Sequence, residues 1–177
     1  MVEYINNVII LLTFVIFIIY IITITTNLKN INGIPLWDEK LYILDYEGTS
    51  LQLIDVYSLT HITHGIILYF ILFEFMKIKQ KNAFIIALII EIIWEIFENL
   101  DHLVINYRKR YDDSYGGDSI VNIIGDILFV ILGFYLSIKS KPLAILYIII
   151  SELILSQYDN HLIYICYQYF NIIMGLL

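Results

Sequence analysis

Apolar residues in this chain fall in long runs rather than in short amphipathic stretches. A bilayer core about 30 Å thick takes about 20 apolar residues in helix, and Tyr4 to Thr26 supplies the first such run. Ser58 to Met76 predicts a second span, Ala83 to Leu100 a third, Ser119 to Ile138 a fourth and Leu143 to Ser156 a shorter fifth. Leu162 to Leu177 is apolar and aromatic, and reads either as a sixth span or as an interfacial helix. The runs show no apolar/polar alternation, which disfavours a β-barrel. The expected fold is all-α, an integral membrane bundle of five or six transmembrane helices. One domain covers 1–177, with 1–32 as an N-terminal anchor and 33–177 as the core. The first run is read as a retained anchor rather than a signal peptide. Glu3 and no Lys or Arg precedes it, it is long for a signal core, and no small-x-small cleavage site follows.

Composition agrees with the runs. Of 177 residues, 60% are hydrophobic and 15% charged, against about 45–50% and about 25% in soluble domains. That excludes an ordinary cytosolic enzyme, a disordered tail and a disulfide-stapled module. The net charge of −7 gives nucleic acid and anionic membrane surfaces no reason to bind. Cys166 is the only cysteine, so there is no internal disulfide and no Cys/His zinc spacing.

Positive charge sets the expected sidedness. The connectors Lys77-Ile-Lys79-Gln-Lys81 and Lys139-Ser-Lys141 are basic without an acid, and alternating spans put both on one side. Arg108-Lys109-Arg110 is a contrary vote, in a connector that also holds Asp101, Asp112 and Asp113. The two purely basic connectors outweigh it, so they face the cytoplasm, and the loops Asn27–Tyr57 and Asp101–Asp118 face the exterior or a lumen. The membrane is a cell inner or plasma membrane, or a host membrane if the Ile-, Tyr- and Asn-rich composition belongs to a virus.

Ionisable side chains inside a span cost at least ~2.5–3.5 kcal/mol, so their placement is informative. His61 and His64 lie about one turn apart on the second span. Glu91, Glu95 and Glu98 form one stripe on the third, and Asp118, Asn122 and Asp126 one on the fourth. At ~1.5 Å per residue, His61, His64, Glu98, Glu95, Asn122 and Asp126 all lie roughly 3–10 Å below the exterior ends. Groups from three helices at one level imply a polar pocket open to the outer leaflet, with Glu91 deeper.

Each residue also has a plainer reading. The histidines fit helix–helix hydrogen bonding, although a pair beside carboxylates favours a site. Glu98 sits near a helix end where water is in reach, Asp118 follows Gly116-Gly117 as an N-cap does, and Asn122 suits interhelical glue. Glu74, three residues from Lys77, reads as an interfacial ion pair. Trp94 reads as packing, and Arg108 and Arg110 as solvated charges.

The same residues stand in recognisable motifs. Ser58-Leu-Thr60-His61-Ile-Thr-His64-Gly65 resembles the S-x-[ST]-H-x-x-H-G signature of an uncharacterised bacterial multi-pass inner-membrane family, a domain of unknown function. Trp94-Glu95-Ile-Phe-Glu98-Asn99 resembles its W-E-x-x-E-N. Tyr107-Arg108, then Gly117-Asp118-Ser119-Ile-Val-Asn122, Asp126 and Gly133 follow its next block, and Glu152 and Asp159-Asn160 its last. The likeness runs over roughly 33–177. It departs at Gly33-Ile-Pro35-Leu-Trp37, where the family's cysteine-bearing segment is missing, and at Gly116, Ile123 and Tyr158, which replace Tyr, Ser and Arg. A more distant likeness is to VanZ-type membrane proteins, whose D-x-x-x-N-x-x-G reads here Asp118-Ser-Ile-Val-Asn122-Ile-Ile-Gly125. That grouping implies action on lipids or lipid-linked head groups.

Two functions follow. One is a membrane-embedded enzyme that hydrolyses or transfers a phosphoryl or acyl group on a lipid head group. His61 or His64 is its general base, with Glu95 orienting it or a buried carboxyl, Glu98 among them, acting as acid. Asp118, Asn122 and Asp126 complete the polar set, and Ser58, Asn99, Arg108 and Ser119 are assigned to head-group contacts. No cofactor is expected: a divalent metal on His61, His64, Glu95 and Asp126 is conceivable from ligand types, but no motif dictates it. The other is a non-catalytic lipid-binding, scaffold or small transport protein. Membrane lipids are the expected partners, a second copy of the chain is an open one, and nucleic acid is not expected. The orientation is checked directly: in a Cys166→Ser background, a Gln80→Cys thiol is expected to react with an impermeant maleimide only after the cytoplasmic side is opened.

Overall fold

The computed structural model describes residues 50–111, 115–158 and 162–175, and every regular element among them is helical. Helix α1 runs Ser58–Tyr69 and passes directly into a π-helical stretch, Phe70–Phe75. Helix α2 is Gln80–Glu98, α3 Asp101–Arg110, α4 Ile120–Lys139, α5 Lys141–Leu155 with a 3₁₀ turn Ser156–Tyr158, and α6 Leu162–Met174. The anchor run Tyr4–Thr26, Gly33–Trp37 and Asp159-Asn160 lie outside the described residues.

Local chemistry sets several helix ends. The Ser119 hydroxyl accepts from the Asn122 amide at 3.1 Å and starts α4, so Ser119 is the N-cap rather than Asp118. Ser140 does the same for Leu143, and Pro142 sits where a first turn tolerates it. The stretch expected as the loop Asp101–Asp118 contains α3. Only Leu103 and Val104 of that helix are buried, too little for an apolar run to be visible. Its charges suit its dipole, with Asp101 in the first turn and Arg108, Lys109 and Arg110 in the last.

Two of the described helical segments are long and apolar enough to cross a membrane, Ser58–Phe75 and Ile120–Lys139. Helix α2 is as long, at 19 residues, but Lys81, Glu91, Glu95 and Glu98 interrupt it. Helix α6, with 13 residues, is only ~20 Å long.

The most extensive helix contact is α1 on α4. It is made by glycine: a Cβ on Gly65 would fall on the Val130 carbonyl oxygen, and one on Gly133 on the Ile62 carbonyl oxygen. Small residues let two backbones touch in this way. Tyr69, Leu72, Ala83, Ala87 and Phe134 close into an apolar layer around the lower half of the crossing. Beyond that layer, Lys141 Nζ meets Glu74 Oε1 at 2.5 Å, so Glu74 pairs with Lys141 and not with Lys77 as expected. That bridge also places the basic connectors at the same end of the bundle. Gly133→Ala is expected to cost about 1–3 kcal/mol or more by overpacking, read as a lowered thermal midpoint of the purified protein in detergent. An unchanged midpoint would show that the crossing is not a tight backbone contact.

Candidate functional site

One turn before Gly65 on α1 stands His61, and the α1–α4 crossing holds its ring against α4. The ring is nearly enclosed by α2 and α4. Its Nδ1 lies 2.6 Å from Glu91 Oε1 and 3.9 Å from Glu95 Oε1, and its Nε2 lies 3.6 Å from Asp126 Oδ1. At 2.6 Å the Glu91 contact is a charge-assisted hydrogen bond. His64 Nδ1 is 3.5 Å from the other Glu91 oxygen, so this one carboxylate backs both imidazoles. Glu95 is 0% exposed and Asp126 2%. Neither Glu95 oxygen, nor Asp126 Oδ1, accepts a hydrogen bond within the described residues.

A second layer surrounds these groups. Asn99 donates from Nδ2 to Asp118 Oδ2 at 2.7 Å and accepts the Asp118 amide on Oδ1 at 2.8 Å. Gly117 makes that pairing reachable, with a φ of 89° that L side chains rarely adopt. Tyr115 donates its hydroxyl to Asp118 Oδ1 at 3.3 Å. Burial, and next the Asp118 charge, hold that phenol well above its ordinary range, so it acts as a neutral donor. One carboxylate oxygen each of Glu95, Glu98 and Asp118 lies within 4.8 Å of the others.

Asp55 is a residue the sequence reading left in a loop. It is buried, accepts the Ser50 amide at 2.8 Å and the Ser58 amide at 3.0 Å, and takes Asn122 Nδ2 at 3.2 Å. Burial pushes its carboxyl up, while the amides of Ser50 and Ser58 pull against that. Asn122 Nδ2 also reaches the Gln52 carbonyl at 2.9 Å, and Ser119 donates to the Leu51 carbonyl at 2.9 Å. The strap 50–57 is thus tied over the start of α4. Asp55 stands three residues before Ser58 and an apolar run, a capping pattern that was readable.

A cavity of about 50 Å³ opens among these elements, room for a few waters or one small polar group. His61, His64, Glu98, Asp118, Asn122 and Asp126 line it. Trp94, Tyr57, Tyr107, Tyr115 and Tyr169 line it as well. Trp94 does pack, with its ring 6.0 Å from His64 and 5.1 Å from Tyr169, but it packs as cavity wall. In a chain with 15 tyrosines, no spacing marked the four that matter. The candidate residues from the three stripes are therefore brought together, with Glu95 directly behind the lining. Ser58, Asn99 and Ser119 are not on the cavity; their polar groups are committed to Asp55, Asp118 and the strap. Arg108 is exposed and donates from Nε to the Tyr115 carbonyl at 2.6 Å.

Asp55→Ala would leave the Ser50 and Ser58 amides and the Asn122 amide group short of an acceptor. It is expected to cost about 1–3 kcal/mol, measured as the shift in thermal unfolding against wild type. A shift near zero would show that the strap does not depend on this carboxylate.

Comparison with known proteins adds a family. Residues 27–165 match the model of a protein of unknown function, DUF2585. The chain is 33% identical over 93 residues to a UPF0314 protein of Paracoccus denitrificans, covering 51% of this chain and 48% of that one. It is 32% identical over 118 residues to a UPF0314 protein of Rhizobium etli, covering 66% and 58%. It is 33% identical over 109 residues to one of Brucella anthropi, covering 60% and 53%. The chain spans about half the length of the curated relatives it matches. No solved structure matches. With the match extending over residues 27–165, the chain belongs to the bacterial family of unknown function DUF2585.

Proposed function

We propose that this is a multi-pass membrane protein whose cavity hydrolyses or transfers a phosphoryl or acyl group on a lipid head group. The observation that carries the proposal is its inverted polarity. Carboxylates and imidazoles are buried, while the surfaces of the same helices are apolar. Ile85, Ile89, Ile90 and Ile93 on α2 and Leu128 and Leu132 on α4 are exposed, as are Leu146, Ile149, Ile150 and Leu153 on α5. Apolar faces of that extent fit hydrocarbon as solvent, and ionisable groups turned inward within spans mark functional sites. On this reading α2 and α5 also lie in the bilayer, beside Ser58–Phe75 and Ile120–Lys139. The three carboxylates of α2 lower its hydropathy without meeting lipid.

His64 is the general base of this scheme, because its side chain is 23% exposed against 8% for His61 and it lines the cavity. Glu91 orients the imidazole from behind, the role first expected of Glu95. His64 would take the proton of the attacking water or hydroxyl, and the tyrosine and tryptophan wall would exclude bulk water. A transport path is disfavoured by the apolar layer of Tyr69, Leu72, Ala83, Ala87 and Phe134 between the cavity and the Glu74–Lys141 end. The distant likeness to VanZ-type proteins points to lipid or lipid-linked substrates as well.

Lipid profiling of membranes carrying wild type, His64→Ala or Asp118→Asn tests the proposal. Loss of a general base is expected to slow turnover of the affected lipid class by about 10²-fold or more. Two folded variants with lipid pools and lipid binding identical to wild type would overturn the enzymatic reading.

A further inference from the structure

The acids at the cavity outnumber its cations. Glu98, Asp118 and Asp126 line it beside His61 and His64, and among the described residues neither Lys nor Arg does. Glu95, enclosed completely behind that lining, offers two oxygens that nothing in the described residues satisfies, and Asp126 Oδ1 offers a third. Buried carboxylate oxygens that accept no hydrogen bond are strongly disfavoured, and His61, which reaches them only at 3.9 and 3.6 Å, is already engaged by Glu91, so this corner requires further protons or a cation.

We infer that His61, Glu95 and Asp126 form a divalent-cation site of tetrahedral, zinc-like character at the floor of the cavity. One ligand atom from each of the three lies within 4.8 Å of the others. His61 Nε2 and Asp126 Oδ1 are 3.6 Å apart. Two metal bonds of ~2.1 Å meeting at a tetrahedral angle span ~3.4 Å, so a cation fits between them with little movement. The imidazole is prepared for that role. Its Nδ1 is engaged by Glu91 at 2.6 Å, which places a proton on that nitrogen and leaves Nε2, 3.6 Å from Asp126 Oδ1, as the atom to ligate a cation. A carboxylate behind a ligating histidine is the usual outer-shell arrangement. A single cation would satisfy one Glu95 oxygen, Asp126 Oδ1 and the His61 Nε2 together, which no single proton does.

Three protein ligands leave a fourth position, and His61 and Asp126 both border the cavity. A water, or an oxygen of a phosphoryl or acyl group, would occupy that position and be polarised there. The cation also supplies the positive charge that an anionic head group needs before it can approach Asp118 and Glu98. The cation site rests on the proposal that the three helices form one intramembrane site, but it holds whether or not that site turns lipid over.

The test uses the full chain purified in detergent, stripped with chelator and titrated with Zn²⁺ alone by calorimetry, with metal content measured after dialysis. One Zn²⁺ per chain is expected. Glu95→Gln and Asp126→Asn should each weaken binding at least about tenfold, Glu91→Gln should weaken it about 10–100-fold, and His64→Ala should keep the stoichiometry at one. X-ray absorption at the zinc edge of the wild-type protein needs no variant and should report one imidazole with otherwise oxygen ligands. A folded wild type that binds no zinc would overturn the site in favour of a protonated acid cluster. A first shell containing sulfur or two imidazoles, or a His64→Ala loss as large as that of Glu95→Gln, would overturn the ligand set. Lipid turnover by a wild type that binds no zinc would remove the cation site and leave the proposed function standing. One bound zinc without lipid turnover would do the reverse.

Discussion

The close passage of α1 over α4 at Gly65 and Gly133 governs the geometry of everything above it. Backbone touches backbone there, since a methyl group on either glycine would occupy the space of a carbonyl oxygen across the interface. Bulkier residues would push the helices apart. His61 sits four residues before Gly65 and Asp126 seven before Gly133, so any such separation would open the 3.6 Å between them. Gly125 repeats the device higher up, where its missing side chain leaves room for the Leu53 carbonyl and lets the strap lie on α4. The glycines give up side-chain packing, and what they provide is a fixed distance between polar groups on different helices.

The polar groups are then arranged in layers. Glu91 holds both histidines, Asn99 holds Asp118, and Asp55 ties Asn122 to the strap. Most buried carboxylates have a partner, and the exceptions are concentrated at Glu95 and Asp126, beside the one imidazole nitrogen that faces them. Such a concentration is unlike scattered interhelical glue, in which each polar residue finds its own bond. The strap, the start of α4 and α6 contribute lining residues to the cavity alongside the aromatic rings.

Much of the candidate site was legible because helical spacing is rigid. Glu91, Glu95 and Glu98 could share a face only if α2 formed, and α2 did form over Gln80–Glu98. Depth counted from the helix ends put His61, Glu95 and Asp126 at one level, and they stand around one ring in the fold. What could not be read was partnership. Glu74 has Lys77 three residues away in sequence but meets Lys141, because α5 returns to the same end of the bundle. Asp118 looked like a cap and is instead clamped by Asn99, while the next residue, Ser119, does the capping. Helix α3 was not apparent in the pattern because it buries only Leu103 and Val104 and carries Asp101, Arg108, Lys109 and Arg110.

The sequence by itself determined the helical class and the faces on which charge recurs. These depend on local period and composition, which a chain carries before it folds. Only the tertiary structure decided that Glu91 serves two histidines, that Asp55 and four tyrosines belong to the site, and that Ser58, Asn99 and Ser119 serve the frame instead. Most of those assignments depend on distances between residues 19 to 68 positions apart. Such distances are set by how closely two glycines let their helices approach, and no spacing along the chain encodes that.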